Sequence, residues 1–110
     1  MTPYGLPAAT VARMGAVFAR YPQIDAVILY GSRAKGNFRR GSDIDLTIQG
    51  NGLVYNDLNR LERELDDLLL PYKIDLSLYD HLDHPDLLAH IARVGVLFYE
   101  RQSDGVKIED

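Results

Sequence analysis

The chain has 110 residues, a length that fits one domain with a single hydrophobic core. Its composition, 46% hydrophobic and 25% charged, is that of a soluble globular protein, and no apolar run approaches the ~18 residues of a membrane-spanning helix. A net charge of -4 argues against direct nucleic-acid binding, and the lack of cysteine excludes disulfides and thiolate metal sites. The first residues carry no secretion-signal pattern, so we expect a cytoplasmic protein with no membrane partner.

The first half of the sequence predicts a helix, a strand, a loop and a second strand. Residues 7–21 carry apolar side chains at helical spacing and predict an amphipathic helix. Residues 24–30 are apolar and rich in β-branched side chains, which is typical of a buried strand. Residues 31–42 are basic, polar and glycine-bearing, and they predict a loop with room for one helical turn. Residues 43–49 alternate strictly between polar and apolar, which predicts a strand with one apolar face.

The second half predicts two more helices and two more strands. Residues 54–69 carry an apolar stripe at helical spacing, and residues 73–79 alternate as a strand with one apolar face does. Residues 85–94 predict a third helix, which begins with a proline and is followed by Gly95. Residues 96–99 predict a last short strand.

These elements predict an α/β fold in which a small mixed β-sheet of about four strands has helices packed on one face. Because the second and third strands each have an apolar face for helices to cover, their polar faces are left open for a site. We expect residues 1–110 to form a single domain, in which residues 100–110 are a polar, frayed tail.

Three aspartates on the polar faces of these two strands are the candidate catalytic residues. Asp43 and Asp45 are two positions apart, which places them on one face about 6.5 to 7 Å from each other along the strand. Asp75 lies on the polar face of the next strand. Carboxylates are the ligands that Mg²⁺ prefers, and two ions about 4 Å apart can stabilise both the attacking and the leaving oxygen of an in-line displacement. We therefore predict that Asp43, Asp45 and Asp75 bind two Mg²⁺ ions.

The loop before these acids has the features of a phosphate site. Gly31 lets the backbone come close to a phosphate, and amides at a strand-to-helix turn form an anion site to which the Ser32 hydroxyl adds a donor. Lys35, together with either Arg33 or Arg39, would neutralise the charge of a triphosphate. The loop and the acids together indicate a polyphosphate substrate with its cations.

The segment that joins these features has the form G-S-x10-D-x-D, from Gly31 and Ser32 to Asp43 and Asp45. It resembles the signature of the polymerase-β-like nucleotidyltransferase superfamily, whose third acid follows on a later strand, as Asp75 does. Within that superfamily, the length, the early motif and the sequence of residues 91–100 are similar to the minimal nucleotidyltransferase (MNT) group. The resemblance covers residues 6–100.

This resemblance implies a specific activity. Members of the MNT group are often encoded beside a HEPN-domain protein, and the resemblance implies an antitoxin that transfers AMP from ATP to a tyrosine of its HEPN toxin. In that reaction Asp43 and Asp45 would bind both Mg²⁺ ions and Asp75 the ion on the nucleophile side. The resemblance also implies that Ser42 orients the triphosphate.

Other interpretations stay open at this stage. An isolated D-x-D is most often a solvent-facing strand segment, and each basic residue of the loop could simply be solvated. The chain could be an antitoxin that neutralises its partner by binding alone, or a small-molecule nucleotidyltransferase of the aminoglycoside type, although a C-terminal helical domain is missing for the latter. We interpret the histidines, His81, His84 and His90, as structural or solvated, and Tyr30 as packing under the loop without a catalytic role.

Overall fold

A computed structural model describes residues 1–102, which form one four-stranded sheet with helices. A short 3-10 turn follows the third strand, and no helix of this part is long and apolar enough to cross a membrane. In chain order the elements are α1 (Ala8–Phe18), β1 (Ile24–Tyr30), α2 (Gly31–Lys35), β2 (Ile44–Gly50), α3 (Tyr55–Asp66), β3 (Ile74–Leu78), the 3-10 turn (Tyr79–His81), α4 (Pro85–Val94) and β4 (Val96–Glu100).

The sheet is mixed, as predicted, and its strands lie in the order β3-β2-β1-β4. Strand β1 runs antiparallel to β2 and to β4, whereas β2 and β3 are parallel. The register sets Asp45 directly beside Asp75 on one side and beside Tyr30 on the other. The α/β fold class and the sheet of four strands are therefore confirmed.

Helices α1 and α3 cover one face of the sheet, where the apolar residues of the alternating strands form the core. Leu46 in β2 and Leu61 in α3 are fully buried in this cluster, as is Phe18 in α1. The other strand residues of the core are Ile24, Val27, Leu29, Ile44, Ile48, Leu76, Leu78 and Phe98. Because strand side chains alternate, the residues between them, including the aspartates, point to the opposite face.

Helix α4 approaches the sheet from that opposite face. A Cβ atom at Gly95, directly after α4, would meet the side chain of Ile28, which lies between two core residues and therefore points away from the core. His90 in α4 contacts the backbone of Gly31. The predicted packing of helices on one face thus holds for α1 and α3, and α4 stands beside the polar face.

Several element boundaries differ from the predictions. Helix α3 ends at Asp66, and the chain turns through Leu69, which has a positive φ of 55°. Strand β2 begins at Ile44, so that Asp43 directly precedes it. Glu100, predicted to begin the frayed tail, belongs to β4 and is paired with Ala26. Residues 103–110 of the predicted tail lie outside the described residues.

Candidate active site

The polar face of the sheet brings the predicted acids into one neighbourhood. Asp45 in β2 and Asp75 in β3 are Cα partners in the parallel ladder, and adjacent strands are about 4.8 Å apart. Asp43 precedes β2 by one residue. Asp43 and Asp75 are exposed, whereas Asp45 is half-buried between the neighbouring strands.

The surroundings of Asp45 change the pKa of its carboxyl group. Burial raises its pKa above the ordinary value, the negative charges of Asp75 and Asp43 raise it further, and nearby His90 opposes them. The two further carboxylates thus place negative charge near Asp45. The site is therefore a concentration of negative charge that a divalent ion would relieve.

The donor set fits Mg²⁺ by its chemistry, because it consists of hard carboxylate oxygens on neighbouring strands. The ligand geometry is not preformed, since within residues 1–102 no three Asp, Glu or His side chains converge into a group that could hold a metal ion. Asp43, Asp45 and Asp75 are thus neighbours whose carboxylates are not yet gathered around one point. Their role as metal ligands stays a prediction.

Gly31 brings the start of α2 against these acids. It has a positive φ of 75°, and a Cβ atom at this position would overlap the Asp45 Oδ2 atom. Ser32 follows as the second residue of α2, where backbone N–H groups have no partner within the helix. The predicted helical turn therefore exists, and it lies immediately beside Asp45.

Arg33 is one of the two arginines for which the sequence predicts a contact with the triphosphate, but its guanidinium has other partners in the structure. Its side chain is 2% exposed, and its guanidinium donates hydrogen bonds to the carbonyl oxygens of Ser42, Arg40 and Tyr4 at 3.0 to 3.2 Å. The rings of Phe38 and Tyr72 lie 5.3 and 5.1 Å from it. Arg33 therefore joins the loop of residues 36–43 to the N-terminal segment. Its guanidinium is buried and bonded to backbone carbonyl groups.

Ser42 and Lys35 differ in their surroundings. The Ser42 Oγ accepts the N–H of Arg39 at 2.8 Å, which closes the loop one residue before Asp43. Ser42 thus has a structural role in addition to any contact with a substrate. Lys35 is exposed at the end of α2, in the same turn as Ser32.

His90 is a site residue that sequence reasoning missed. Its Nε2 accepts the N–H of Gly31 at 3.1 Å, and its ring meets the ring of Tyr30 edge-on at a centroid distance of 6.2 Å. The one signal in the sequence was position, since His90 is three residues after Leu87 and next to Ile91, on the inward side of α4. A polar ring there needs a polar partner, but the sequence does not say which.

A buried polar cluster lies beneath the acids. Ser77 donates a hydrogen bond to Thr47 at 2.9 Å. These two residues follow Asp75 and Asp45 by two positions, so they lie on the same face of the sheet. Burial raises the pKa of the neighbouring Tyr30, a hydrogen bond with Ser77 opposes this, and the charges of Asp75 and Asp45 raise it again. Tyr30 therefore stays protonated at neutral pH and packs under the site.

Comparison with known proteins gives matches of two kinds. A sequence model of the family described as polymerase beta, nucleotidyltransferase, matches residues 13–104. No curated protein sequence matches the chain. A chain of a toxin–antitoxin complex with AMP-PNP superposes with a TM-score of 0.67 at 20% identity, over 88% of this chain and 76% of that one.

Two further solved structures give similar superpositions. A mutant of the MntA–HpeT toxin–antitoxin complex has a chain with a TM-score of 0.66 at 18% identity, over 88% of this chain and 76% of that one. A complex of a tri-AMPylated Shewanella oneidensis HEPN toxin with an MNT antitoxin has a chain that superposes with a TM-score of 0.63 at 16% identity. The superposition covers 84% of this chain and 71% of that one. At these identities the likeness shows a common fold.

Proposed function

Because the chain belongs to the polymerase beta nucleotidyltransferase family, we propose that it transfers AMP from ATP, with Mg²⁺, to a tyrosine hydroxyl of a partner HEPN toxin. The observation that carries this proposal is the site around Asp45. There one half-buried carboxylate meets two further acids and the Gly31 turn. A site with concentrated negative charge and a close backbone turn suits a nucleoside triphosphate that arrives with cations.

The acids and the turn would divide the work of binding ATP. Asp43, Asp45 and Asp75 would hold the two Mg²⁺ ions, which when bound supply positive charge to the triphosphate and to the reacting oxygens. Ser32 and Lys35 would contact the β- and γ-phosphates, because they lie in the turn beside Asp45. Ser42 would help from the loop end next to Asp43.

The chain contributes to the reaction mainly by positioning. The acceptor hydroxyl oxygen forms a bond to the α-phosphorus of ATP and releases its proton to water. The bond from the α-phosphorus to the β-phosphate oxygen breaks, and pyrophosphate leaves. Holding both reactants in line and balancing the developing charge lowers the barrier without a covalent enzyme intermediate. Because the reaction consumes ATP, we expect it to take place in the cytoplasm.

The acceptor is proposed to come from a partner protein. Asp43 and Asp75 are exposed on the open face, so a protruding hydroxyl could reach them. Among the similar structures, one complex holds AMP-PNP and another holds a tri-AMPylated HEPN toxin with its MNT antitoxin. These complexes support a HEPN toxin as the partner of this chain.

Mass spectrometry tests the proposal. A HEPN-domain partner incubated with the chain, ATP and Mg²⁺ should gain mass in steps of one AMP. Replacing both Asp43 and Asp45 by Asn should abolish the gain. Asp66→Asn, which changes an exposed acid in α3 on the other side of the sheet, should leave it intact. If the doubly substituted chain still neutralised the toxin with wild-type potency, the chain would act by binding, and the chemical account would be wrong.

A further inference from the structure

His90 joins α4 to the turn at which we propose that the triphosphate binds. The hydrogen bond from Gly31 N–H to His90 Nε2 spans 59 positions of the sequence. It is therefore a tertiary contact between α2 and α4. Gly31 is the residue whose backbone also lies against Asp45.

The surroundings of Gly31 show why such a contact matters. A glycine at a positive φ is conformationally permissive, and no side chain of its own restrains it. The Gly31 N–H is bound to His90, and the Cβ position of Gly31 lies against the Asp45 carboxylate. Gly31 is thus in contact with both His90 and Asp45.

The packing of α4 on the sheet fixes the position of His90. Ile91, the next residue, is 6% exposed, and Gly95 fits closely against Ile28 of β1. The His90 ring also meets the buried Tyr30 ring edge-on. The imidazole is therefore supported by packing on the sheet.

We propose that His90 is a positioning residue for nucleotide binding, which holds the Gly31 amide so that the turn of α2 presents Ser32 beside Asp45. This inference rests on the proposed function, because it assigns a residue to the same nucleotide site. Since Nε2 accepts the hydrogen bond, the neutral ring carries its proton on Nδ1. Glutamine can place an acceptor oxygen near the position of Nε2, whereas leucine cannot.

The test compares ATP binding among three histidine variants by calorimetry with ATP and Mg²⁺. His90→Leu should weaken binding by about three- to tenfold, as the loss of one hydrogen bond does. His90→Gln should bind within about twofold of the wild type because it keeps an acceptor for the Gly31 N–H. His84→Leu is the matched control, since His84 accepts the N–H of Leu87 at the start of α4 and does not touch Gly31. It should lower the unfolding temperature without changing affinity.

Each outcome decides one of the two proposals. No binding of ATP by the wild type would overturn the proposed function and this inference with it. Equal binding by the wild type and a folded His90→Leu would overturn the inference alone, as would equal weakening by His84→Leu. Should His90→Leu fail to fold, NMR of the wild type decides. Addition of ATP and Mg²⁺ should shift the Gly31 amide and the His90 ring nitrogens, and unchanged signals would contradict the inference.

Discussion

Gly31 sets how closely the backbone approaches Asp45. Its positive φ is a conformation that L-residues with a side chain rarely adopt, and its missing Cβ leaves the space in which Asp45 lies. Gly36, at the other end of α2, also has a positive φ, of 89°, but no atom lies within 4 Å of its Cβ position. Both glycines have a positive φ, but only Gly31 lies against Asp45. A comparison of substitutions at the two positions therefore distinguishes the effect of backbone strain from that of contact with the acid.

Substitution by alanine at these two positions should have different effects. Both variants bear the cost of a left-handed residue with a side chain, about 1–2 kcal/mol in the free energy of unfolding. Gly31→Ala should lower the free energy of unfolding more than Gly36→Ala does. It should also weaken ATP binding, because the new methyl group displaces Asp45. Urea unfolding and calorimetry would measure both quantities. Equal losses in the two variants, with unchanged ATP affinity, would show that the approach to Asp45 is unimportant.

Arg33 shows how a residue that resembles a phosphate ligand can serve the fold. Arg33→Met should lower the free energy of unfolding by about 2–3 kcal/mol, because the carbonyl groups of Ser42 and Arg40 lose a charged donor. Arg39→Met, at an exposed side chain of the same loop, should change it by less than about 0.5 kcal/mol. Chemical denaturation measures the difference, and a negligible effect of Arg33→Met would contradict the structural role.

Asp45 couples the site to pH. Its pKa in the folded chain is raised by burial and by the charges of Asp75 and Asp43, so the folded state binds a proton more readily than the unfolded state does. Stability should therefore fall as pH rises from the unfolded pKa, about 4, through the raised folded value. The ionised carboxylate destabilises the folded state at neutral pH.

Asp45→Asn should therefore raise the unfolding temperature at pH 7 and have little effect near pH 3, where the carboxyl group is protonated in both states. Asp66→Asn, at an exposed acid of α3, should not show this pattern. Calorimetric melting at the two pH values measures the effect. A lower unfolding temperature of Asp45→Asn at pH 7 would mean that the acid stabilises the fold, which contradicts the account.

At the scale of elements, the segment that directly follows α1 is joined to α3 by a polar contact at the rim of the core. The Tyr21 hydroxyl donates a hydrogen bond to Glu64 at 2.9 Å, and Arg20 pairs with the same carboxylate at 2.9 Å. Burial and the bond to Glu64 raise the pKa of Tyr21, so the phenol remains a donor. This contact fixes the two helices that cover the apolar face of the sheet.

Tyr21→Phe should lower the free energy of unfolding by about 1–2 kcal/mol, because it removes the hydrogen bond to a charged acceptor while keeping the ring. Tyr55→Phe, at a tyrosine that is 64% exposed, should leave stability unchanged. Neither variant should alter ATP affinity, since both lie away from the acids. A loss of binding in Tyr21→Phe would mean that the helix pair shapes the site.

The elements were predictable where one residue pattern repeats along the chain. The alternation in β2 and β3 follows from one buried face, and it correctly placed Asp45 and Asp75 on the other. The hydrogen bonds from Arg33 to Tyr4 and from Gly31 to His90 were not predictable, because each joins residues that are far apart in the sequence. Periodicity describes the face of an element, whereas these contacts depend on how elements meet.

At the scale of the whole molecule, the two faces of one sheet have separate tasks. Helices α1 and α3 bury the apolar face and supply the stability. The polar face gathers acids whose mutual repulsion has no function in the fold itself. Under the proposed function, this cluster beside the Gly31 turn would bind cations together with a polyphosphate.

The most direct measurement of this claim is a calorimetric titration of ATP into the chain, with Mg²⁺ and then with EDTA. The account predicts binding with Mg²⁺, and a loss of most affinity both in EDTA and in the Asp45→Asn variant. The same affinity for ATP with and without the divalent ion, or in the variant, would contradict the account.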